Sequence, residues 1–234
     1  MARRRFFVDQ VRNGHATMAG DEAHHLFRVL RVEAGQKFEI SDNSRVWLAE
    51  VKTARKSEVC FTIIQELPSG PELPEVILYL ALVKFDRFEW AVEKATEMGA
   101  TRVVPVDTTR TDQGLFQGAA KRVERWRRIA REASEQSRRL APPEIADPAK
   151  FSAIHNSAPA NRYVLDEQPG APTLAKIIRA APVAVFIGPE GGWTDAERAT
   201  LAASGWVAAS LGPLILRAET AVCAALAVTA QLLA

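Results

Sequence analysis

Val183-Ala184-Val185-Phe186-Ile187 runs directly into Gly188-Pro189-Glu190-Gly191-Gly192, and this junction decides how the chain folds. An unbroken apolar run stopped by glycine and proline reads as a strand covered on both faces. Further on, a second apolar run, Val207 to Leu211, meets Gly212 and Pro213 and continues through Leu214, Ile215, Leu216, Arg217, Ala218, Glu219 and Thr220 into an alanine-rich helix. Ligands of open α/β sheets collect outside the carboxyl ends of the strands, so these two glycine-bearing exits predict one pocket. Neither loop carries G-x-x-x-x-G-K-[ST], or G-x-G-x-x-G with an acidic residue downstream, which argues against a P-loop and an ordinary dinucleotide site. Glycine lets bare main-chain N–H and C=O groups approach a ligand, which suits a flat, polar molecule of the adenosine type. The competing reading is a plain tight turn between strand and helix. Arg217 and Glu219 beside the second loop favour the pocket.

Outward from that junction the pattern is strand and helix in alternation. Val76 to Val83, Arg102 to Val106 and Tyr163 to Asp166 read as strands beside the two already named. Phe85, Phe88, Val92 and Ala95 share one helical face that Gly99 ends, and Val123, Trp126, Ala130 and Ala133 share another. Thr194 to Glu197 forms a capping box, which gives Asp195 and Glu197 a structural role rather than a catalytic one. The alternation predicts an α/β domain with a mostly parallel sheet covered on both faces. The final helix, Thr220 to Leu233, is apolar nearly all round and is expected to be buried, with a subunit interface as one way to bury it.

A proline-rich break, Leu67 to Pro74, separates this region from a different one. Before it lie short alternating runs, Lys37 to Ser41, Val46 to Thr53 and Glu58 to Gln65, a turn at Asp42-Asn43-Ser44, and one short helix from Asp21 to Leu30. These predict a small β-barrel over residues 1–70, followed by the α/β domain over 74–234.

A chain of 234 residues that is 47% hydrophobic buries a sizeable core. Its apolar runs fall short of the roughly 18 residues a membrane-spanning helix needs, and Arg3-Arg4-Arg5 precedes Phe6-Phe7-Val8-Asp9 rather than a signal-peptide core. A soluble, cytoplasmic protein without a membrane partner is expected. Cys60 and Cys223 are too few for a disulfide framework or a zinc cluster. The adjacent His24 and His25 point about 100° apart on a helix and clamp a metal poorly, and His15 and His155 lie in unrelated segments, so no metal is expected. The net charge of +2 says little, but its distribution says more: basic residues gather at Arg3 to Arg5, at Arg28 and Arg31, and along Lys121 to Arg139, where they could meet a phosphate backbone. Along the third run, i,i+4 pairs such as Glu124 with Arg128 and Arg131 with Glu135 offer the alternative of a solvated helix.

Five ordered segments carry a resemblance. His24 to Arg31 (HHLFRVLR), Lys84 to Gly99 (KFDRFEWAVEKATEMG), Glu132 to Arg138 (EASEQSR), Phe186 to Glu197 (FIGPEGGWTDAE) and Leu211 to Ala221 (LGPLILRAETA) resemble the RsmE family of SPOUT-class RNA methyltransferases over nearly the whole chain. The resemblance implies an N-terminal PUA-like RNA-binding β-barrel and a C-terminal SPOUT α/β domain with a trefoil knot. It implies methyl transfer from S-adenosylmethionine to N3 of a uridine in small-subunit ribosomal RNA by a homodimer. Cofactor contacts are implied at Leu165, Ile187, Gly188, Pro189, Glu190, Gly191, Leu211, Gly212, Ile215, Leu216 and Thr220. RNA contacts are expected at Arg5, His24, His25, Arg28, Arg31, Lys84, Arg87, Gln136 and Arg138. Leu214 departs from the family, which usually has a basic residue there.

Uridine N3 carries a proton, so the reaction needs an exposed base and a proton acceptor. Glu219, Glu190 and Asp166 are the carboxylates nearest the expected pocket, and Arg217 is placed to stabilise charge developing on the uracil oxygens. An ion pair between Arg217 and Glu219 that only holds the loop is the competing reading. Two other functions stand beside the first: a non-catalytic RNA-binding assembly factor, favoured by Leu214, and a SPOUT ribose 2′-O-methyltransferase.

Overall fold

A computed structural model describes residues 4–154 and 158–233, so Arg3 and His155 lie outside the described residues. The chain divides into two compact units, Met1–Pro71 with Ser134–Pro142, and Glu72–Ala133 with Pro143–Ala234.

The first unit holds β1 (Arg5–Phe7), β2 (Val11–Arg12), β3 (His15–Ala19), β4 (Lys37–Ser41), β5 (Val46–Ala54) and β6 (Glu58–Leu67), with α1 (Gly20–Arg28) directly after β3. The strands form one sheet in the order β1-β4-β5-β6-β3-β2, antiparallel except for the parallel β1–β4 pair. Alternation sets the inner face: in β3, Ala16 and Met18 point in while His15, Thr17 and Ala19 point out. Phe6, Ile40, Trp47, Val59 and Phe61 join them, and α1 adds Ala23 and Leu26. Register shifts between β5 and β6 bend the sheet around this core. The β4–β5 turn is tied by Asp42 Oδ1, which accepts the N–H groups of Ser44 at 3.1 Å and Arg45 at 2.9 Å.

The stretch Ser134–Pro142 is held to β1 and β4 by a polar cluster. Arg5 is 5% exposed; its Nη2 donates to Glu39 Oε2 at 3.0 Å and its Nη1 to the Arg139 carbonyl at 3.1 Å. Glu39 also accepts from Arg138, and Ser41 Oγ donates to the Leu140 carbonyl at 2.7 Å. Arg5 was expected to meet RNA, and this corrects the expectation: a buried guanidinium engaged by a carboxylate and carbonyls has no face left for a phosphate. Burial alone pushes the neighbouring Arg139 guanidinium down to about 10.

The second unit runs β7 (Val76–Ala81), α2 (Phe85–Glu97), β8 (Arg102–Asp107), α3 (Leu115–Ala120), α4 (Val123–Ser137, whose end groups with the first unit), β9 (Glu144–Ile145), β10 (Ala149–Lys150), α5 (Phe151–Ile154), β11 (Asn161–Leu165), α6 (Leu174–Ile177), β12 (Val183–Ile187), α7 (Asp195–Ala203), β13 (Val207–Ala209) and α8 (Ala218–Leu233). The sheet order is β10-β8-β7-β12-β11-β13, with β9 also on β8, and every pair is parallel. β7 and β12 are buried along their whole length, and successive residues feed opposite layers. Val76, Leu78, Leu80, Val183, Val185 and Ile187 pack with α2 and α8, whereas Ile77, Tyr79, Ala184 and Phe186 pack with Trp193, Leu201 and Trp206. That two-sided burial is why both strands read as continuous apolar runs.

α8 is only partly covered within the single chain. Its own chain buries only one side, Ala221, Val222, Ala225 and Leu226, against the layer containing α2. Thr220, Ala227, Ala230 and Gln231 stay exposed. The basic run on α4 is also largely paired: Glu89 accepts from Arg122 at 2.9 Å and Arg125 at 2.7 Å, and Glu124 takes Arg127 rather than Arg128. The Arg125 hydrogen bond, opposed by burial and aided by Arg122, holds the Glu89 carboxyl below its ordinary range.

Candidate active site

The exits of β11, β12 and β13 wall a cleft of about 510 Å³, within the range of roughly 300–1,000 Å³ typical of small-molecule sites. Its walls include Leu165, Ile187, Gly188, Pro189, Glu190, Gly191, Leu211, Gly212, Ile215 and Leu216, together with Arg87, Asp166 and Arg217. They also include Gly192 and Pro213 of the two exits, and residues that the sequence reading did not assign to the pocket: Glu167, Trp193, Ala209, Ser210, Ala218 and Ala221. Leu214, noted only as a departure, lines the mouth and is 77% exposed.

Glu219 and Thr220 are not in the wall. α8 begins at Ala218 and turns Ala218 and Ala221 toward the cleft, so at about 100° per residue the two positions between them face elsewhere. Glu219 lies close enough to Cys223 to act on its thiol, and its Oε2 is buried without a hydrogen-bond partner among the described residues. Burial, more than the charges around it, pushes the Cys223 thiol up.

Of the other carboxylates, Asp166 is fully engaged. Arg198 Nε donates to its Oδ2 at 2.7 Å and Nη2 to its Oδ1 at 3.1 Å, while Gln168 N–H donates to Oδ1 at 3.2 Å. Both oxygens of Asp166 are committed to holding Arg198, which argues against Asp166 as the base. Glu190 remains on the cleft, paired with Arg87. Arg217 is exposed and forms no ion pair among the described residues.

Three glycines of the walls have distinct reasons to be glycine. A Cβ on Gly188 would stand 2.8 Å from the Trp193 indole, one on Gly192 (φ +70°) would meet Glu167 Oε1 at 2.7 Å, and one on Gly191 would touch Arg110 side-chain carbons at 3.3 Å. The loop is therefore stripped of side chains by its own neighbours. The Trp193 indole N–H donates to the Leu165 carbonyl at 2.8 Å, fastening the β12 exit to the end of β11. The main-chain N–H groups of Gly188, Glu190, Gly191, Leu211, Ile215 and Leu216 bond to no protein group among the described residues. What the cleft offers a ligand is thus main-chain donors over an apolar floor of Ile187, Leu211, Leu216 and Ala218.

Glu197 braces the site from behind. It is 3% exposed; it completes the capping box with Thr194, and its Oε1 accepts the Thr109 N–H at 2.8 Å. Burial opposes its ionisation, but the Thr109 and Thr194 N–H groups and the Thr194 hydroxyl outweigh it and hold the carboxyl below its ordinary 4.5. Glu197→Ala removes the carboxylate half of the capping box and leaves the Thr109 and Thr194 N–H groups without their acceptor, and should cost about 1–3 kcal/mol in urea unfolding. Because the folded value is depressed, this contribution is full above 4.5 and is lost as pH falls through the lower folded value. The wild-type advantage should therefore shrink in acid; an advantage constant with pH would show that the charge is immaterial.

Among the expected RNA contacts, His24, Arg28, Arg31 and Gln136 are exposed and His25 is half-buried. Arg138 is partly exposed and pairs with Glu39, and Lys84 is exposed at the N-cap of α2, outside the cleft wall. Among the described residues no group of three or more His, Cys, Asp or Glu side chains is placed to hold a metal, and no helix is long and apolar enough to cross a membrane.

A family model described as an RNA methyltransferase domain matches residues 71–230, and one described as an RNA methyltransferase PUA domain matches residues 19–64. The chain is 34% identical to ribosomal RNA small subunit methyltransferase E of Synechocystis over 94% of its length and 74% of the relative's. It is 31% identical to the Bacillus subtilis protein of that name, over 88% of this chain and 85% of the relative. The solved ribosomal RNA small subunit methyltransferase E of Neisseria gonorrhoeae, bound to S-adenosyl methionine, superposes with a TM-score of 0.89 at 28% identity, covering 99% of this chain and 98% of that one. By both the domain match and these relatives, the chain belongs to the RNA methyltransferase family of ribosomal RNA small subunit methyltransferase E.

Proposed function

We propose that this protein transfers a methyl group from S-adenosylmethionine to N3 of a uridine in small-subunit ribosomal RNA, as a homodimer in the cytoplasm. The observation that carries the reading is the cleft: three parallel-strand exits offering unengaged main-chain donors over an apolar floor, in a chain whose Neisseria relative was solved with S-adenosyl methionine bound. Residues 1–70 would hold the RNA and residues 74–234 perform the transfer.

The donor set fits an adenosine with an amino-acid tail. Gly188, Glu190 and Gly191 on one wall and Leu211, Ile215 and Leu216 on the other would hold it; Thr220, turned away, would not. When bound, the cofactor supplies an electrophilic methyl carbon. The chain's own residues must then orient the uracil and move the N3 proton. Positioning supplies most of the acceleration in such a displacement. Glu190, a cleft carboxylate not tied on both oxygens, would accept the proton, with Arg87 fixing its orientation. Arg217, unpaired on the opposite wall, would face the charge developing on the uracil oxygens. Glu219, half-buried with its Oε2 out of solvent, would support the start of α8 rather than touch the base.

The dimer reading is supported by apolar surface that the single chain leaves open: Leu214 and Ile215, 77% and 85% exposed, lie on the loop before the uncovered side of α8. The knot that the SPOUT resemblance implies would involve this same segment, which leaves β13 at one sheet edge and returns to pack on α2.

Mapping methylated nucleosides in ribosomal RNA from cells with and without the protein tests the reading. One N3-methyluridine that disappears with the protein is expected. Loss of a ribose 2′-O-methyl group instead would move the acceptor atom, and no change would leave an assembly factor.

A further inference from the structure

Along the carboxyl edge of the sheet the exits follow the order β8, β7, β12, β11, β13. The cleft occupies the last three, and the two flanks differ in charge. On the β11 side, Arg198 is neutralised by Asp166 and Glu167. On the β8 side stands Arg110, which has no acidic partner among the described residues. Its loop is stiff: Thr111 Oγ1 accepts the Thr108 N–H at 3.0 Å, Thr111 N–H donates to the Thr108 carbonyl at 3.1 Å, and Glu197 holds the Thr109 N–H at 2.8 Å. From that loop Arg110 Nη1 donates to the Gly191 carbonyl at 2.6 Å, with its aliphatic carbons against the Gly191 backbone. One donor of five is engaged, and the side chain is exposed.

We propose that the β8 exit is a phosphate-binding element, in which Arg110, docked on the Gly191 carbonyl, presents its remaining N–H groups to a backbone phosphate of the RNA strand that carries the target nucleotide. The proposal rests on the methyltransferase reading for the identity of the strand. An arginine serving only to hold the glycine loop would be satisfied by further carbonyls or a carboxylate. This one stands with no acidic partner among the described residues and with free donors, docked on a carbonyl of the cleft wall, and the neighbouring β7 exit carries the exposed Lys84. Planar guanidinium donors match phosphate oxygens in pairs, and a docked guanidinium loses less freedom on binding than a free one.

Binding of full-length protein to a small-subunit ribosomal RNA transcript, measured across salt concentrations, tests this. Arg110→Ala should weaken binding about tenfold and flatten the log–log salt slope by about 0.7, the value for one single-strand phosphate contact, while S-adenosylmethionine affinity stays at the wild-type level. Arg110→Lys should restore the slope. An unaltered slope in Arg110→Ala overturns the proposal, as does a loss of cofactor affinity in that variant, which would make the residue a loop brace. The slope is readable whether or not methyl transfer occurs, so wild-type protein that binds RNA without transferring methyl groups would refute the proposed reaction and not this site.

Discussion

Gly188→Ala is expected to lose S-adenosylmethionine binding by a hundredfold or more, although the added methyl group never enters the cleft. The new Cβ would stand 2.8 Å from the Trp193 indole, which is 1% exposed, packed edge-on against Phe186 at 4.7 Å and bonded to the Leu165 carbonyl at 2.8 Å. A ring fixed on that many sides does not move, so the strain goes to the glycine loop. Overpacking of this kind costs about 1–3 kcal/mol, little enough for the protein to stay folded. The loop's main-chain donors, however, need placement within a fraction of an ångström. Gly191→Ala is the milder comparison: its Cβ would stand 3.3 Å from Arg110 side-chain carbons, a contact that a shift of a few tenths of an ångström relieves, and its effect should be about tenfold or less. Calorimetric titration of both variants, with thermal melts, decides the matter. Wild-type affinity in a folded Gly188→Ala protein would remove the cofactor from this cleft.

This comparison also shows what a linear reading conveys and what it does not. The strand Val183–Ile187 and the capping box at Thr194 are local patterns, and the structure contains both. Alternation located β4, and the apolar runs located β7 and β12, because strand periodicity and two-sided burial are written in neighbouring residues. The reason for glycine at 188 was not local. It lies in an indole five positions on, which folds back under the loop to reach the end of β11. Sequence reading assigned that bareness to a ligand, and the structure gives Trp193 a prior claim.

Charge was harder to read than hydrophobicity for the same reason. Arg5 and Arg138 look alike in sequence to Arg28 and Arg31, yet the first two converge on Glu39 and the second two stand exposed. Asp166 and Glu190 both follow strand exits, and only the partner found in three dimensions separates them: Arg198 takes both oxygens of Asp166. Arg110 drew no notice because nothing in TTRTDQG marks it; its meaning comes from the carbonyl of Gly191, on a different strand exit. Helix phase was legible in principle, since Ala218 and Ala221 share a side that Glu219 and Thr220 do not, but the side facing the cleft depends on how α8 packs on α2.

That phase fixes where a dimer should be tested. A charge at Ala225 says nothing about a partner subunit, because Ala225 is 0% exposed within its own chain and its replacement would break the core. Ala227, two residues on and about 200° around the helix, is exposed with Thr220 and Ala230. In a monomer Ala227→Glu costs little, since glutamate is a good helix former facing water. In a dimer that covers this side, the same substitution buries an unpaired ion at a cost of several kcal/mol. The loop before α8 supplies Leu211 to Arg217 to the cleft and carries Leu214 and Ile215 uncovered, so loss of the partner should loosen the wall as well. Ala227→Glu is therefore expected to yield a monomer with an unchanged circular-dichroism spectrum and methyl transfer reduced at least a hundredfold, while Ala227→Ser keeps both assembly and activity. Light scattering and transfer measured on one preparation test the pair of effects together. A dimeric, active Ala227→Glu protein would place the interface away from this side of α8, and a monomeric, fully active one would show that each subunit completes its own site.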